Sequence, residues 1–362
     1  MSRISPQGST TTRAIIVWKF SVWIVFLGVT AMVLTAHVSC ASISKSAFSD
    51  KGRIPVILDT DIGGDIDDTW ALALLVQSPE FDVKLVTTAV GDTVSKAKTV
   101  AKFLQTVDRT DIPVGIGVRQ NDSGGDGQRE WTADYRLSSY PGKIHHDGVQ
   151  AIIDAIMNSS EPMKLIAVGP LPNIAAALER EPRIAEKAEF VGMHGSVRLG
   201  YGGSLKISAE CNVVTDAKAA QKVFTAPWEM TITPLDTCGL VQLKDGKYQK
   251  VLQRKSPLTR ALMQNYRAWQ KQMLLGANKE LSEVEIDKRV EDKVNSSSTT
   301  LFDTVAIYLT MSTDLIKMER LGIRVTDDGY TVIDDEAKII NCATEWKDLG
   351  AFEDFLVTRL TK

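Results

Sequence analysis

Beyond residue 50 the chain alternates short β-branched runs with segments of helical period. Apolar runs at 54–58, 83–90, 114–117, 164–168, 190–192 and 230–233 predict strands. Between the second and third of these, Val94, Ala97, Val100, Ala101, Leu104 and Val107 recur on one helical face, and Ile152, Ile153 and Ile156 do so later. Such stripes are core surface and carry no functional weight. Strand–helix alternation predicts an α/β fold with a mostly parallel central sheet flanked by helices. No internal repeat and no long Pro- or Ser-rich linker interrupts it, so residues 45–362 are expected to form a single domain. The polar stretch 278–298, ending in NSSS, predicts a solvated helix and loop near the site entrance.

The N-terminus follows a different pattern. The 25 residues between Lys19 and Lys45 carry no formal charge, and 20–36 is almost wholly apolar, behind a segment with Arg3, Arg13 and Lys19. That is the shape of an export signal. The small residues Val38-Ser39-Cys40-Ala41 offer a peptidase site, and a retained signal anchor is the alternative. Cys40 is also a weak candidate for lipid attachment, with His37 where such signals carry Leu. Residues 1–44 are read as an export signal or anchor, the only membrane contact expected, so the folded part faces an exported compartment.

Composition narrows the function. Lys plus Arg is 42 against 45 for Asp plus Glu, a net charge of −3, and the charges are dispersed along the chain. Nucleic-acid binding, which runs on clustered positive charge, is excluded. Four cysteines without a C-x-x-C pair make neither a disulfide framework nor a Cys-rich zinc site. Cys238 and Cys342 remain an open pair.

The chemistry concentrates in 54–74, IPVILDTDIGGDIDDTWALAL, where a strand runs into Asp59, Asp61, Asp65, Asp67 and Asp68 within ten residues and then into a helix. In an open parallel sheet, ligands bind beyond the carboxyl ends of the strands. Clustered carboxylates raise one another's pKa unless a cation neutralises them, and hard oxygen ligands favour Ca²⁺ or Mg²⁺. An EF-hand loop fails because its twelfth position is Trp70 and a strand precedes it. An aspartyl-phosphate phosphohydrolase lacks its later Ser/Thr and Lys pair. Helix capping by Asp67 or Asp68 does not require five acids.

This segment resembles the first motif of the inosine-uridine-preferring nucleoside hydrolase family, a strand followed by DTDxGxDD, here two residues longer. The resemblance extends over nearly the whole exported part. VTTAVGDTVSKA is similar to the family's TTVAGN turn, with Asp92 for Asn, and LIAVGPLPNIAAAL to GPLTN, with Pro172 for Thr. SAECNVVTDAKAA is similar to AEFN and TTLFDTVAIYL to the C-terminal HDxxA element, with Phe302 for His. The resemblance implies a Rossmann-like nucleoside hydrolase fold, a Ca²⁺ cofactor and hydrolysis of a ribonucleoside to ribose and free base. It implies Asp61 as metal ligand and water-activating base, Asp68 and Asp303 as ligands and the Pro172 carbonyl as a further one. Asp67 would accept from a ribose hydroxyl, with Asp65 as its possible substitute. Glu210 and Asn212 would hold the ribose, and Asp92 and Ser204 stand at positions usually Asn. A homo-oligomer, dimer or tetramer, is implied by the resemblance alone.

Leaving-group activation departs from the family. Phe302 cannot donate a proton, though it can stack on a base. His145 and His146, in GKIHHDGV, resemble a His-Gly segment near the substrate, and His194 is a further candidate acid. Trp131 and Trp269 are candidate stacking residues, and Cys211 is expected to pack beside Glu210. Two alternatives remain: an exported hydrolase of another ribosyl compound, and a non-catalytic nucleoside- or ribose-binding protein of the same fold.

Overall fold

The computed structural model describes residues 52–120, 126–277 and 280–362, which fall within one compact unit. The expected export segment, with Cys40, lies outside the described residues. Among the described residues ten strands form one sheet: β1 (Ile54–Thr60), β2 (Phe81–Thr88), β3 (Val114–Ile116), β4 (Ile144–His145), β5 (Met163–Ala167), β6 (Ala188–Met193), β7 (Met230–Thr233), β8 (Ile316–Val325), β9 (Thr331–Ile333) and β10 (Ile339–Trp346). Their order is β4-β3-β2-β1-β5-β6-β7-β10-β8-β9. Pairing is parallel from β4 to β10; only β8 on β10 and β9 on β8 are antiparallel. The mostly parallel α/β sheet expected from the alternation is therefore what forms.

Burial on both faces explains the near-continuous apolar strands. Along β1, Val56 and Leu58 enter one core layer and Ile57 the other. The same two-residue period sends Asp59 to the Ile57 side, away from the acids that follow it. Helix α1 (Asp67–Gln77) is buried from Asp67 to Leu75, including Trp70 and its Ala/Leu run. A helix without a polar face has to lie inside the protein, and this one holds the acidic loop against the sheet.

β4, β8, β9 and β10 have no counterpart among the six runs read from sequence. β4 has only two residues, and β8 carries Lys317, Glu319 and Arg320 at an exposed margin. In the polar stretch after residue 280, helix Glu283–Val294 begins with a reciprocal Ser282–Glu285 capping box and packs on helix Pro257–Ala277. Among the described residues, Cys211, Cys238 and Cys342 are all free thiols, and Cys238 and Cys342 lie in opposite core layers. The open pairing is thus not formed.

One side chain ties the strand ends together. Asn173 donates to Asp59 Oδ1 at 2.8 Å and to the Thr88 carbonyl at 3.1 Å, and accepts from Val118 N–H at 2.6 Å. Gly117 is required beside it, because a Cβ there would lie 2.2 Å from the Thr88 carbonyl oxygen. Asn173→Ala removes three hydrogen bonds, two of them to buried groups, and is expected to cost roughly 1–3 kcal/mol by urea denaturation. An unchanged midpoint would show that these bonds do not hold the strand ends.

Candidate functional site

The acidic loop owes its shape to partners that take its backbone carbonyls. Gly127 N–H donates to the Gly63 carbonyl at 2.8 Å, Trp269 Nε1 to that of Gly64 at 3.0 Å, and Lys96 Nζ to that of Asp61 at 2.5 Å. Gly63 sits at φ +102°, a left-handed turn that only glycine adopts without strain. With the carbonyls engaged, the carboxylates are left to face a cavity of about 280 Å³ lined by Asp61, Asp65, Asp67, Asp68, Glu210 and Asp303, with Asn212, Cys211, Tyr201 and Phe302 among the other walls. It opens where the parallel strands end.

Asp67 and Asp68 start α1, and Asp303 precedes helix Thr304–Leu309. All three are buried, and one carboxylate oxygen from each lies within 4.8 Å of the others. Burial raises all three well above the usual carboxylate range. The neighbouring acids raise them further: Asp65, Asp68 and Asp61 act on Asp67, Asp61 on Asp68, and Asp67 and Asp68 on Asp303. Thr60 Oγ1 donates to Asp68 Oδ1 and accepts from Ile62 N–H, which fixes the Asp68 rotamer. Asp61 is more open, with 23% of its side chain exposed. Asp65 is exposed at the rim, its Oδ1 accepting from the Ile66 N–H at 2.6 Å. An all-carboxylate set of this density suits a hard divalent cation, so the residues present fit a metal site.

The remaining predicted residues divide. Glu210 and Asn212 reach the cavity, but each also has a structural task. Glu210 caps helix Cys211–Thr215 by accepting from Asn212 and Val213 N–H, and accepts from Gly195 N–H at 3.0 Å. Burial pushes its carboxyl up to about 7 against these bonds. Asn212 Nδ2 donates to the carbonyls of Val168 and Met193, both at 3.1 Å. Phe302 lines the cavity with its ring edge-to-face on Tyr201, centroids 6.0 Å apart.

Other predicted positions lie off the cavity wall. Pro172 starts helix Pro172–Arg180, and from its segment Val168 is the cavity-lining residue. Asp92 caps helix α2 (Thr93–Thr106) by accepting from Ser95 N–H at 3.1 Å. Ser204 is exposed after a short turn, accepting from Lys206 N–H. His145 and His146 stand at the end of edge strand β4, three strands from β1. Trp131 pairs with Gln264 and Lys102, Trp269 braces the acidic loop from behind, and no described residue of 278–298 lines the cavity.

His194 is fully buried rather than facing the cavity. Its Nε2 lies 3.0 Å from the Gly169 carbonyl, and burial depresses its pKa to about 4, so it is neutral and donates there. It supports the turn that passes Asp61, where a Cβ on Gly169 would come within 2.7 Å of Asp61 Oδ1. The Cys211 thiol is pushed up, first by partial burial and then by Glu210, the reverse of what a nucleophile needs.

Sequence reading missed Thr60, Lys96 and Tyr201. Thr60 was readable as the Thr of the DTD motif; Lys96 and Tyr201 lie in segments whose local pattern says nothing of the cavity.

Comparison with known proteins gives a consistent picture. Residues 56–353 match the inosine-uridine preferring nucleoside hydrolase family. Over 194 residues the chain is 34% identical to the non-specific ribonucleoside hydrolase RihC of Klebsiella pneumoniae (strain 342), covering 51% of this chain and 62% of that relative. It is 31% identical over 233 residues to RihC of Salmonella paratyphi B, covering 59% and 72%. The chain thus spans under two thirds of the length of the Klebsiella relative. Among solved structures, a plant nucleoside hydrolase, PpNRh1, aligns with a TM-score of 0.68 at 21% identity over 85% of this chain and 99% of its own. A purine-preferring ribonucleoside hydrolase from Gardnerella vaginalis aligns at 0.67 and 19%, over 85% and 98%. At these identities the two structures establish the fold.

The buried acids set a pH signature for the metal-free protein. Burial, the largest cause, lifts Asp59 and Glu210 each to about 7 from ordinary values of 3.8 and 4.5. Between about pH 4 and 7 the folded state therefore binds more protons than the unfolded one, and stability falls as pH rises. In chelator, the melting temperature is expected to increase on going from pH 7.5 to 5.5; a decrease would contradict the reading that burial outweighs the hydrogen bonds these two carboxyls accept.

Proposed function

Since the chain belongs to the inosine-uridine preferring nucleoside hydrolase family, we propose that it is a Ca²⁺-dependent N-ribosyl hydrolase that splits a ribonucleoside into ribose and free base. The observation that supports this most is the meeting of Asp67, Asp68 and Asp303 within 4.8 Å, in a cavity shared with Asp61, Glu210 and Asn212. Asp67, Asp68 and Asp303 would hold the ion, with Asp61 at its open side. When bound, Ca²⁺ supplies Lewis acidity toward water and toward the ribose hydroxyls.

The chain's own groups account for the rest. Asp61, with 23% of its side chain exposed and Lys96 Nζ 3.9 Å from its Oδ2, accepts the proton of the attacking water as its oxygen bonds to C1′. The C1′–N bond breaks with its electron pair leaving on the base, which takes its proton from solvent. Glu210 and Asn212 stand where they can fix the sugar, and positioning of this kind is worth several kcal/mol. The surrounding carboxylates favour the positive charge that develops on the ring. Tyr201 and Phe302 offer an aromatic wall to the base.

This assigns Asp67 to the ion, where the resemblance assigned it to the ribose; its burial beside Asp68 and Asp303 supports that choice over the exposed Asp65. The Phe at position 302 is the observation that favours a second reading, a ribosyl-compound binder without turnover. Export through residues 1–44 and assembly as a homo-oligomer are part of the proposal.

The test is reducing-sugar release from a panel of purine and pyrimidine nucleosides. Release is expected with Ca²⁺, abolished by chelator, and reduced about a thousandfold in Asp61→Ala, the scale of one general base. Stoichiometric nucleoside binding without release would favour the binder, and release indifferent to chelator would refute the metal-dependent reading.

A further inference from the structure

Lys96 is the cation closest to this chemistry, and nothing above gives it a role in the reaction. Its side chain is 1% exposed. It projects from α2 beneath the acidic loop, its stem passing Gly63, where a Cβ would lie 3.7 Å from Lys96 Cγ. The ammonium donates to the Asp61 carbonyl at 2.5 Å and stands 3.9 Å from Asp61 Oδ2. No Lys or Arg is among the residues that line the cavity, so among the described residues Lys96 opposes the carboxylates from behind the wall. Its charge acts on Asp68 as well as on Asp61.

Burying an ammonium is expensive unless opposite charge meets it, so a lysine placed here gains its stability from the acids. The Asp61 carbonyl does not need it as its sole donor, because Gly64 N–H also reaches that oxygen at 3.2 Å. What Lys96 adds is charge. A divalent ion among Asp67, Asp68 and Asp303 would draw on the same negative potential and be repelled by the ammonium.

We propose that Lys96 is a built-in counter-cation that shares the acidic cluster with the metal, letting the loop assemble before the ion arrives and holding the affinity for the ion below what the carboxylates alone would give. Two cations that draw on one set of carboxylates are negatively coupled, so removing one strengthens the other. The inference rests on the metal-dependent reading. Lys96 is a positioning residue in this account, since it acts through Asp61 and Asp68.

The measurement is Ca²⁺ affinity of the full chain by competition with a chromophoric chelator, for wild type, Lys96→Met and Lys96→Gln, each prepared in Ca²⁺ and titrated down. Both variants are expected to bind Ca²⁺ at least about tenfold more tightly, a conservative figure for one unit charge acting on a divalent ion across a protein interior. In chelator, both are expected to melt below wild type. A lysine that only braces the loop predicts the opposite sign, weaker binding once the brace is gone. Equal or weaker Ca²⁺ binding in both variants, with wild type binding normally, would overturn the proposal alone. Failure of wild type itself to bind Ca²⁺ would overturn the metal-dependent reading and this proposal with it.

Discussion

Carboxylates brought together out of water repel one another, and the end of β1 is built around that repulsion. Asp61, Asp67, Asp68 and Asp303 face one cavity, and Asp67, Asp68 and Asp303 are held nearly dry by α1, helix Thr304–Leu309 and the sheet. Burial pushes each toward its neutral form and the neighbours push further. Such an arrangement persists only with protons, an internal cation or a bound ion to offset it. Thr60 and Lys96 supply part of the compensation from within.

The rest of the fold can be read as what makes that concentration tolerable. The parallel sheet brings the ends of β1, β2 and β5 side by side, and Asn173 ties Asp59, Thr88 and Val118 together there. Asp59, on the face of β1 opposite Thr60, is held in that tie by the bonds that Asn173 and Thr87 donate to it. Glycine carries the tight points: Gly63 for its backbone angle, Gly169 for the room Asp61 needs. His194, neutral because it is buried, braces the Gly169 turn from inside the core. Several residues resembling family site positions are thus partly structural, and Glu210 is the clearest, since the bonds that cap its helix engage both of its oxygens.

Local pattern made the central sheet legible, because β-branched runs buried on both faces leave an unbroken apolar signal. Marginal strands such as β8, with Lys317, Glu319 and Arg320, leave none. The acidic loop was legible because a turn or a helix cap does not call for five aspartates in ten residues, and Asp303 only through resemblance, since it stands more than two hundred residues from the loop. Lys96 and Tyr201 were not legible. Each owes its place to tertiary packing that no spacing records: Lys96 looks like any helix lysine, and Tyr201 belongs to a short turn before the Glu210 helix. His145 and His146 show the converse, since resemblance to a His-Gly segment offered one of them as an acid while the strand order sets them at the far edge of the sheet.

The most direct test of this account is to locate the ion. Crystals grown with Ca²⁺ and measured at long wavelength would place it by its anomalous scattering. The account predicts one strong peak bounded by the carboxylates of Asp67, Asp68 and Asp303. A fully ordered cavity with no peak there, in crystals that show Ca²⁺ elsewhere, would contradict it.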